Sequence, residues 1–407
     1  MKKLTEVDGY KVWRDKEIAD LSNIVQKRLY RLQNPTDCKN AKKIVCTISY
    51  FCGFGCQMHH LVHSMILAYA LKRTLILEST NWQYHEGGWD KVFMPLSDSC
   101  TTVGNSSTVD WPGSDDSMVI RLPPHTKLIP RPQYWPLVVP EDLVNRLKRI
   151  HGNPIAWWIG QILKYIWKLQ PSTTNYINTQ MEQFGIKHPF AGVQIRRTDK
   201  LIREAKHHSI EEYMEAVDEY YNSTEIKTNF TKRRVYVATD DFQAVVEALV
   251  KYSRYEILFN QNVSKVPRLD DGHMYDNIFD VILDIHILVH SDFLVCTFSS
   301  HMCRLMYELI QNNCVDGSAK IVSVDSVYWY DQQEHNKRKV TLEHHAQNTT
   351  EIDLIPGDII DITEYSLNGY SFGTNLRTKK AGWYPSFKAE IEVEIVKFPT
   401  YFKIDNK

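Results

Sequence analysis

The sequence predicts an α/β protein that ends in a small all-β module. Three observations support this class: apolar runs alternate with amphipathic helical stretches, polar residues follow several of those runs, and the pattern changes to short strands and turns after about residue 338. The chain has 407 residues, 43% of them hydrophobic, and a formal net charge of −1. It can bury a large core, and no overall charge attracts it to nucleic acid or to an anionic membrane.

The first α/β block is predicted between residues 16 and 79. An apolar stripe over 16–33 predicts a helix, and 42–50 predicts a buried strand. The stretch FCGFGCQMHHLVHSMILAYAL (51–71) predicts a glycine loop that leads into an amphipathic helix, and 73–79 predicts the next strand. Strand–helix–strand alternation predicts a parallel sheet.

A second α/β block is predicted from about residue 185. Before it, 101–140 is rich in Gly, Ser, Pro and Asp and predicts long loops, and WWIGQILKYIW (157–167) predicts a buried helix that is too short and too charged to span a membrane. We expect two Rossmann-like halves that face a cleft. The segments that alternate in the second block are FAGVQI, SIEEYMEAVDEYY, RRVYVATDD, FQAVVEALVKY, YEILF, NIFDVILDIHILVHS, DFLVCTFSS and HMCRLMYELIQ.

The cysteines and glycosylation sequons favour a secretory compartment. Close pairs such as Cys52/Cys56 and Cys296/Cys303 are compatible with disulfides or with zinc, although neither pair meets a second pair at typical zinc spacing. The first 17 residues lack the apolar core of a signal peptide, so a secreted protein would carry its targeting segment outside this chain. The N-x-S/T sequons begin at Asn105, Asn222, Asn229, Asn262 and Asn348.

The stretch GVQIRRTDK places Arg196, Arg197, Asp199 and Lys200 directly after a predicted strand. Open α/β sheets bind ligands at the carboxyl ends of their strands, and guanidinium groups bind phosphate bidentately. The alternative is a solvated loop in which an aspartate balances an arginine. The sequence alone leaves these two interpretations about equal.

Other predicted strand ends favour a site for a phosphorylated ligand. Asp240 and Asp241 end one strand, and Ser299 and Ser300 end another at a predicted helix N-terminus, where backbone N–H groups attract anions. The loop Gly53-Phe54-Gly55 also begins a helix. We expect a cleft for a phosphorylated ligand, with Glu204 or an aspartate as a base.

Three further polar positions allow two interpretations each. Asp284 lies in an apolar helical stretch, where it is either a paired core carboxylate or a reader of a purine edge. His59 and His60 are more typical of packed histidines at a helix start than of metal ligands.

The motifs GFGCQMHH, RTLILESTNWQYHEGGWDKVF, GVQIRRTDK, VYVATDD and LDIHILVHSDFLVCTFSSHMCR together resemble the α-1,6-fucosyltransferases from about residue 10 to the C-terminus. The resemblance implies a glycosyltransferase that transfers fucose from GDP-fucose to the innermost GlcNAc of N-glycans, with inversion and without a cofactor or divalent metal. It also implies a GT-B-like fold, an SH3-like end, and a Golgi lumenal enzyme behind a membrane anchor and stalk, with a possible homodimer through that stalk.

The resemblance also implies roles for individual residues. Arg196 would hold the β-phosphate with support from Arg197, Lys200 would neutralise the leaving group, and Glu204 would be the base. The other donor-binding residues would be Gln194, Asp284, Ser300, His301, Gly53, Phe54 and Tyr84, and the acceptor-binding residues would be Asp199, Glu204, Asp240 and Asp325. The implied disulfides are Cys38–Cys100, Cys52–Cys56 and Cys296–Cys303, with Cys46 and Cys314 unpaired.

Several positions depart from the family pattern. The family usually has His at Gln194 and Gln at His301, and Ser326, Ser366 and Phe372 replace residues of its acceptor site. Two alternatives therefore remain open beside N-glycan core fucosylation. One is transfer to another acceptor such as a chitin-like oligosaccharide, and the other is a catalytically weak glycan-binding paralogue.

We divide the chain into a helical stalk segment (1–37), a catalytic domain (38–332, with a Rossmann-like half at about 185–325), an SH3-like domain (333–396) and a tail (397–407). In the SH3-like domain the positions that usually form an aromatic groove read Leu342, Leu367 and Lys388. We therefore expect no binding of PxxP peptides.

Overall fold

The computed structural model describes most of the chain, and the account that follows concerns those residues. The described ranges are 9–48, 52–80, 82–124, 127–134, 138–197, 206–225, 232–261, 278–330, 336–366 and 368–401.

The first half holds five helices and five strands. They are α1 (Tyr10–Gln33), β1 (Lys43–Thr47), α2 (Phe54–Ala70), β2 (Thr74–Glu78), β3 (Thr108–Asp110), β4 (Val119–Arg121), β5 (Val138–Pro140), α3 (Glu141–Lys148), α4 (Pro154–Ile166) and α5 (Pro171–Phe184).

The second half alternates strands and helices and then changes to strands alone. The α/β part holds β6 (Ala191–Ile195), α6 (Ile210–Glu225), β7 (Arg234–Thr239), α7 (Phe242–Lys251), β8 (Glu256–Leu258), α8 (Ile278–Val289), β9 (Phe293–Cys296), α9 (His301–Ile310) and β10 (Ile321–Ser323). The final part holds β11 (Lys337–Val340), β12 (Ile359–Tyr365), β13 (Tyr370–Asn375), β14 (Ala381–Pro385), β15 (Ala389–Ile391) and β16 (Glu394–Val396).

The N-terminal sheet has the order β2-β1-β4-β3, and all its pairs are parallel, as the strand–helix–strand pattern predicted. Gln33, at the end of α1, covers the edge strand β2, because its side chain accepts from Leu75 N at 2.8 Å and donates to Leu75 O at 3.0 Å. The long loops predicted over 101–140 are present, but strands interrupt them. Three strands of three residues each form there, and such short strands give too little alternation to be recognised.

The C-terminal sheet has the order β10-β9-β6-β7-β8 and is also parallel throughout. The chain runs outward from β6 through β7 to β8 and then returns to place β9 on the other side of β6. The strand order therefore reverses between β6 and β9, which is the position where open α/β sheets form a ligand crevice.

Helices α2, α4 and α9 pack together in the largest hydrophobic core. Helix α4, predicted as a buried helix, begins with Asn153 as its N-cap, whose side chain accepts from Ala156 N at 3.1 Å. A Cβ at Gly160 would lie 2.5 Å from Glu308 O, so glycine allows α4 and α9 to approach closely.

The final strands form a five-stranded antiparallel sheet of order β14-β13-β12-β11-β15 around a small core of its own. No ladder among the described residues joins β14 to β15, and a closed barrel stays a prediction. Strand β16 leaves this sheet and pairs in parallel with β5, after which Phe398 packs against Tyr69 and Trp158. In the part of the chain that the structure describes, no helix is both long and apolar enough to cross a membrane.

Candidate active site

Polar residues follow β6, β7, β9 and β10 at one edge of the C-terminal sheet. These strands are parallel, so their carboxyl ends lie together. The edge includes the reversal between β6 and β9 and is therefore the strongest candidate for a ligand crevice in the described residues. Asp199, Lys200 and Glu204, which the sequence placed at this edge, lie outside the described residues.

The two arginines after β6 have different environments. The Arg197 side chain is 6% exposed and donates to His208 O at 3.0 Å, and its Nη1 lies 3.6 Å from Asp241 Oδ2 and 3.5 Å from Glu247 Oε1. The Arg196 side chain is 28% exposed, and its Nη1 donates to Asp240 Oδ2 at 2.8 Å. Arg197 thus fixes the strand end internally, whereas Arg196 presents its guanidinium at the surface of the crevice.

Asp240 accepts two hydrogen bonds from the end of β6, one from the Arg196 side chain and one from the backbone. Its Oδ2 accepts from the guanidinium, and its Oδ1 accepts from the backbone N of Arg197 at 2.8 Å. The carboxylate therefore orients both the side chain and the strand end that carries it. The structure gives Asp240 a positioning role toward the arginine beside any contact that it makes with an acceptor.

The turn after β9 leads into the N-terminus of α9. Ser299 N lies 3.3 Å from Asp325 Oδ2, and Phe298 N donates to Ser323 Oγ at 3.0 Å, so the turn is held by the end of β10. Ser300 is buried at the N-cap position of α9 and its side chain makes no capping hydrogen bond. Asp325 also accepts a hydrogen bond from the neighbouring Ser326 Oγ at 3.2 Å.

Two buried oxygen atoms at this edge have no hydrogen-bond partner among the described residues. They are Gln194 Oε1, on a side chain that is 7% exposed near the end of β6, and Ser299 Oγ beside the α9 N-terminus. Buried polar atoms are nearly always hydrogen-bonded in folded proteins. Unsatisfied atoms on both sides of the strand reversal are therefore compatible with a ligand site at this edge.

The glycine loop brings a second helix N-terminus to the same place. A Cβ at Gly55 would lie 2.8 Å from the backbone carbonyl carbon of His301, so the first turns of α2 and α9 are in close backbone contact. Gly53 occupies the N-cap position of α2. Helix N-termini carry partial positive charge, and two of them in close contact favour an anionic ligand.

Phe54 and Tyr84 connect the N-terminal half to the crevice. Their rings make an edge contact with 5.5 Å between centroids. Burial raises the pKa of Tyr84 to about 12, while the positive charge of nearby Arg196 acts in the opposite direction. Tyr84, from the N-terminal half, therefore lies close enough to Arg196 for the charge of the guanidinium to affect it.

Asp284 is paired inside the C-terminal half. Tyr236 Oη donates to Asp284 Oδ1 at 2.6 Å, and burial raises the pKa of Asp284 to about 7. The pairing matches the structural alternative for this residue. Its role as a reader of guanine stays a prediction.

The sequence did not identify Glu308 as part of the site. Glu308 is fully buried on α9 and lies 2.9 Å from His59 Nε2, while His59 Nδ1 lies 2.9 Å from His301 Nδ1. His59 is packed, as expected, but it also connects Glu308 to His301. The spacing of His301 and Glu308, seven residues apart on one helix face, was the available signal.

The structure forms the disulfides Cys38–Cys100, Cys52–Cys56 and Cys296–Cys303, and Cys46 and Cys314 are free. Among the described residues, Cys52, Cys56 and His60 form one group whose ligand atoms lie within 4.8 Å of one another. The two sulfur atoms are bonded to each other and are not thiolates, so we do not assign a metal to this group.

Comparisons with known proteins identify relatives of this chain. A family model described as alpha-(1,6)-fucosyltransferase N- and catalytic domains matches residues 1–329. An alpha-(1,6)-fucosyltransferase of Drosophila melanogaster is 44% identical over 401 residues, which is 98% of this chain and 65% of the relative. One of Caenorhabditis elegans is 35% identical over 392 residues, which is 95% of this chain and 70% of the relative. The chain thus spans about two thirds of the length of these relatives.

Solved structures show weaker likeness. NodZ alpha-1,6-fucosyltransferase soaked with GDP-fucose is 14% identical, with a TM-score of 0.40, over 66% of this chain and 92% of that protein. An SH3 domain from yeast is 21% identical, with a TM-score of 0.14, over 14% of this chain and 97% of that domain. The family assignment depends on the sequence comparisons, which cover nearly the whole chain. This chain belongs to the alpha-(1,6)-fucosyltransferase family.

Proposed function

We propose that this chain transfers fucose from GDP-fucose in α-1,6 linkage to the innermost GlcNAc of N-glycans. Arg196, Gln194 Oε1, Ser299 Oγ and the start of α9 face the strand reversal and could hold the diphosphate of the donor. The proposal depends most on the two buried, unsatisfied oxygen atoms, which lie at the same sheet edge as the partly exposed guanidinium of Arg196. The family membership selects fucose among possible sugars.

The reaction would be a single inverting displacement. The Glu204 carboxylate takes the proton of the acceptor 6-hydroxyl, and that oxygen attacks C1 of fucose from the face opposite GDP. The bond between C1 and the β-phosphate oxygen breaks, and the electron pair leaves with GDP. Arg196, Lys200 and the two helix N-termini stabilise the developing negative charge, so that no divalent metal is required.

The test is a mass measurement after incubation of the purified chain with GDP-fucose, EDTA and a GlcNAc-terminated N-glycan. We expect the mass of one added deoxyhexose. Glu204→Gln should reduce turnover by about 10²–10⁴-fold, since a general base contributes that much. The matched control is Glu211→Gln, because Glu211 is exposed and paired with Lys251 on the outside of the fold. Loss of activity in EDTA, or near-full activity in Glu204→Gln, would contradict the mechanism.

A different acceptor is the second candidate. Ser326 donates to Asp325, and Phe372 packs edge-on against Trp383 with 5.3 Å between centroids, so neither position offers the charge that the family uses there. A panel of a biantennary N-glycan and chitooligosaccharides distinguishes the two acceptors. GDP binding without transfer to any glycan would instead indicate a binding paralogue.

The fold, location and partners complete the proposal. The two parallel sheets are compatible with a GT-B-like arrangement, and the antiparallel sheet with an SH3-like module. We propose a Golgi lumenal enzyme whose homodimer would form through a stalk. Leu342 is exposed and Lys388 is half-buried, and neither side chain is aromatic, while Leu367 lies outside the described residues. PxxP binding that Pro385→Leu abolishes would contradict this view of the module.

A further inference from the structure

The glycosylation sequons of this chain have no part in the proposed reaction. Of the five sequons, those at Asn105, Asn222 and Asn348 lie in described residues, and those at Asn229 and Asn262 lie outside them. An N-x-S/T sequence can carry a glycan in a secreted protein where the folded chain leaves its asparagine at the surface. The environments of the three described asparagines therefore decide which of them is the best acceptor.

Asn348 lies at the tip of a loop in the antiparallel module. The loop connects β11 to β12, and residues 347–350 are all exposed. His344 and Leu354 close the base of the loop through two backbone hydrogen bonds, of 3.0 and 2.9 Å. Thr350 O also accepts a hydrogen bond from the backbone of β14 at 2.9 Å. The tip is therefore open to solvent while the chain on both sides of it is fixed.

Within this loop the hydroxyl of the sequon is bonded to its asparagine. Thr350 Oγ1 donates to Asn348 Oδ1 at 2.6 Å, and Thr350 N donates to the same oxygen at 2.9 Å. Both contacts lie within three consecutive residues, so they require no tertiary structure. The arrangement is therefore available to a glycosylating enzyme that acts while the chain is still being synthesised.

These hydrogen bonds favour the chemistry that the asparagine has to perform. An amide nitrogen is a poor nucleophile because its lone pair is delocalised into the carbonyl group. Donors to Asn348 Oδ1 stabilise negative charge on that oxygen, and hence the form in which Nδ2 has lost a proton and can attack. Nδ2 also donates to Glu351 Oε1 at 2.8 Å, through one of its two hydrogens. Replacement of the other hydrogen by a sugar keeps all three contacts.

We propose that Asn348 is N-glycosylated. The inference rests on the proposed lumenal location, since the donor is an oligosaccharide linked to a lipid pyrophosphate of the secretory pathway. Asn348 Nδ2 attacks C1 of the first sugar, and an N–C1 bond forms as the bond between C1 and the phosphate oxygen breaks. The proton of Nδ2 passes to a base of the glycosylating enzyme, and the electron pair leaves with the lipid pyrophosphate.

The sequon at Asn222 is exposed but has a different geometry. It lies near the end of α6, where Asn222 Oδ1 accepts from Arg233 Nη2 at 2.8 Å. Thr224 Oγ1 donates to Tyr220 O at 2.7 Å, and a hydroxyl has only one hydrogen to donate. The Asn222 amide therefore lacks the hydroxyl contact that Asn348 has, and we expect it to carry less glycan.

The sequon at Asn105 is intermediate between the other two. Asn105 is exposed in a turn directly after Gly104, whose φ is 67°. Within the described ranges, neither Asn105 nor Ser107 makes a side-chain hydrogen bond. The amide is accessible there, but no hydroxyl polarises it. We therefore expect glycan occupancy to decrease in the order Asn348, Asn105, Asn222.

The experiment maps glycans on the full chain, secreted from eukaryotic cells behind a cleavable signal peptide. Peptide N-glycosidase in H₂¹⁸O removes each glycan and converts its asparagine to ¹⁸O-labelled aspartate, which peptide mass spectrometry locates. We expect label at Asn348 in most chains, and less label at Asn105 and Asn222. Folded, secreted chain without label at Asn348 would overturn the inference, and so would more label at Asn222 than at Asn348.

Substitutions at the neighbouring threonines test the role of the hydroxyl. Thr350→Ala should remove the glycan from Asn348, whereas Thr350→Ser retains a hydroxyl and should keep it. The matched control is Thr349→Ala at the exposed residue between them, which makes no hydrogen bond in the described part of the chain and should keep the glycan. A glycan retained at Asn348 in Thr350→Ala would contradict the role of the hydroxyl.

Fucose transfer measured on the same samples separates this inference from the proposed function. The glycan map of the wild-type chain needs no variant, so the inference stays testable if Thr350→Ala is not secreted. Fucose transfer by secreted chain that lacks a glycan at Asn348 would overturn the inference alone. Labelled Asn348 in a chain that transfers fucose to no acceptor would overturn the proposed function alone.

Discussion

The carboxyl ends of the two parallel sheets differ in whether their polar groups have hydrogen-bond partners. At the carboxyl end of the N-terminal sheet, Glu78 accepts from Thr47 Oγ1 at 2.9 Å and from both terminal nitrogens of Arg121, at 2.5 and 3.0 Å. At the carboxyl end of the C-terminal sheet, Gln194 Oε1 and Ser299 Oγ are buried without a partner among the described residues. At the first edge the charged side chains pair with each other. At the second edge two buried oxygen atoms can still accept hydrogen bonds from a ligand.

A charged residue after a strand therefore does not by itself identify a ligand-binding site. Both edges carry an arginine and a carboxylate in contact. They differ in whether the polar atoms around the ion pair are satisfied, which depends on neighbours distant in sequence. The predictions below test this difference, beginning with the largest expected effect.

The largest loss of stability should follow the removal of a disulfide, and it should differ between the two halves. Cys38 and Cys100 are 62 residues apart, whereas Cys296 and Cys303 are 7 apart. Loop entropy predicts that changing the first pair to serine lowers the free energy of unfolding by about 4 kcal/mol, against about 2 kcal/mol for the second. Urea denaturation of both double variants measures this. Equal losses would show that strain or residual structure, and not loop length, sets the contribution.

The pH dependence of stability should have opposite signs at two carboxylates. Asp284, with its pKa raised to about 7 by burial, binds a proton in the folded state between about pH 4 and 7, where the unfolded state has released it. Stability should fall as pH rises through that window, by at most about 1.4 kcal/mol per pH unit. Asp284→Asn should remove this fall.

Glu78 provides the contrast. The hydrogen bond from Arg121 lowers the pKa of Glu78, so its contribution to stability is present above its ordinary pKa and is lost as the medium becomes more acid. Thermal denaturation of Asp284→Asn and Glu78→Gln across the acid range measures both signs. A decline of the Asp284 contribution toward low pH would show that the folded state stabilises its ionised form.

GDP binding should distinguish Arg196 from an ion-paired arginine that lies outside the crevice. Arg196→Ala should weaken GDP binding about 10- to 150-fold, because a charge-assisted hydrogen bond contributes about 1.5–3 kcal/mol. It should also lower stability by more than the loss of an exposed ion pair would, because the partner Asp240 is only 7% exposed and loses this charge. Arg254→Ala is the control, because Arg254 is exposed and paired with Asp218 outside the crevice. Unchanged GDP affinity in Arg196→Ala would remove the arginine from the donor site.

The smallest effect is expected at the satisfied edge. Arg121→Ala breaks an ion pair whose two side chains are 38% and 39% exposed, so the loss of stability should be below about 1 kcal/mol. GDP affinity should not change, and calorimetry on the same sample measures both quantities. A large loss of GDP affinity would show that the first edge also contributes to the donor site.

Much of the fold could be predicted from sequence because its elements carry strong local signals. The α2 and α4 stretches have long apolar stripes, and the strand ends at Arg196 and Asp240 combine apolar runs with abrupt charge. The three-residue strands in 101–140 were missed because three residues define no period. Helix α5, with few apolar residues, had no clear stripe either.

The site could be predicted only in part, for a related reason. Position along the chain placed Arg196 and Ser300 at strand ends, and the resemblance supplied their roles. It could not show that the Arg197 guanidinium is buried against His208 and Glu247 while that of Arg196 is partly exposed, since those partners lie 11 and 50 residues away along the chain. Glu308 was missed because its partner His59 is 249 residues away.

The pairing of β16 with β5 has a practical consequence for dissecting the molecule. The antiparallel module joins the α/β body at its beginning through the chain and at its end through this ladder and the packing of Phe398 on Tyr69. Excision after β15 would strip a strand from β5 and uncover aromatic rings of the larger body. Separate expression of the two parts should therefore divide them beyond Phe398, or not at all.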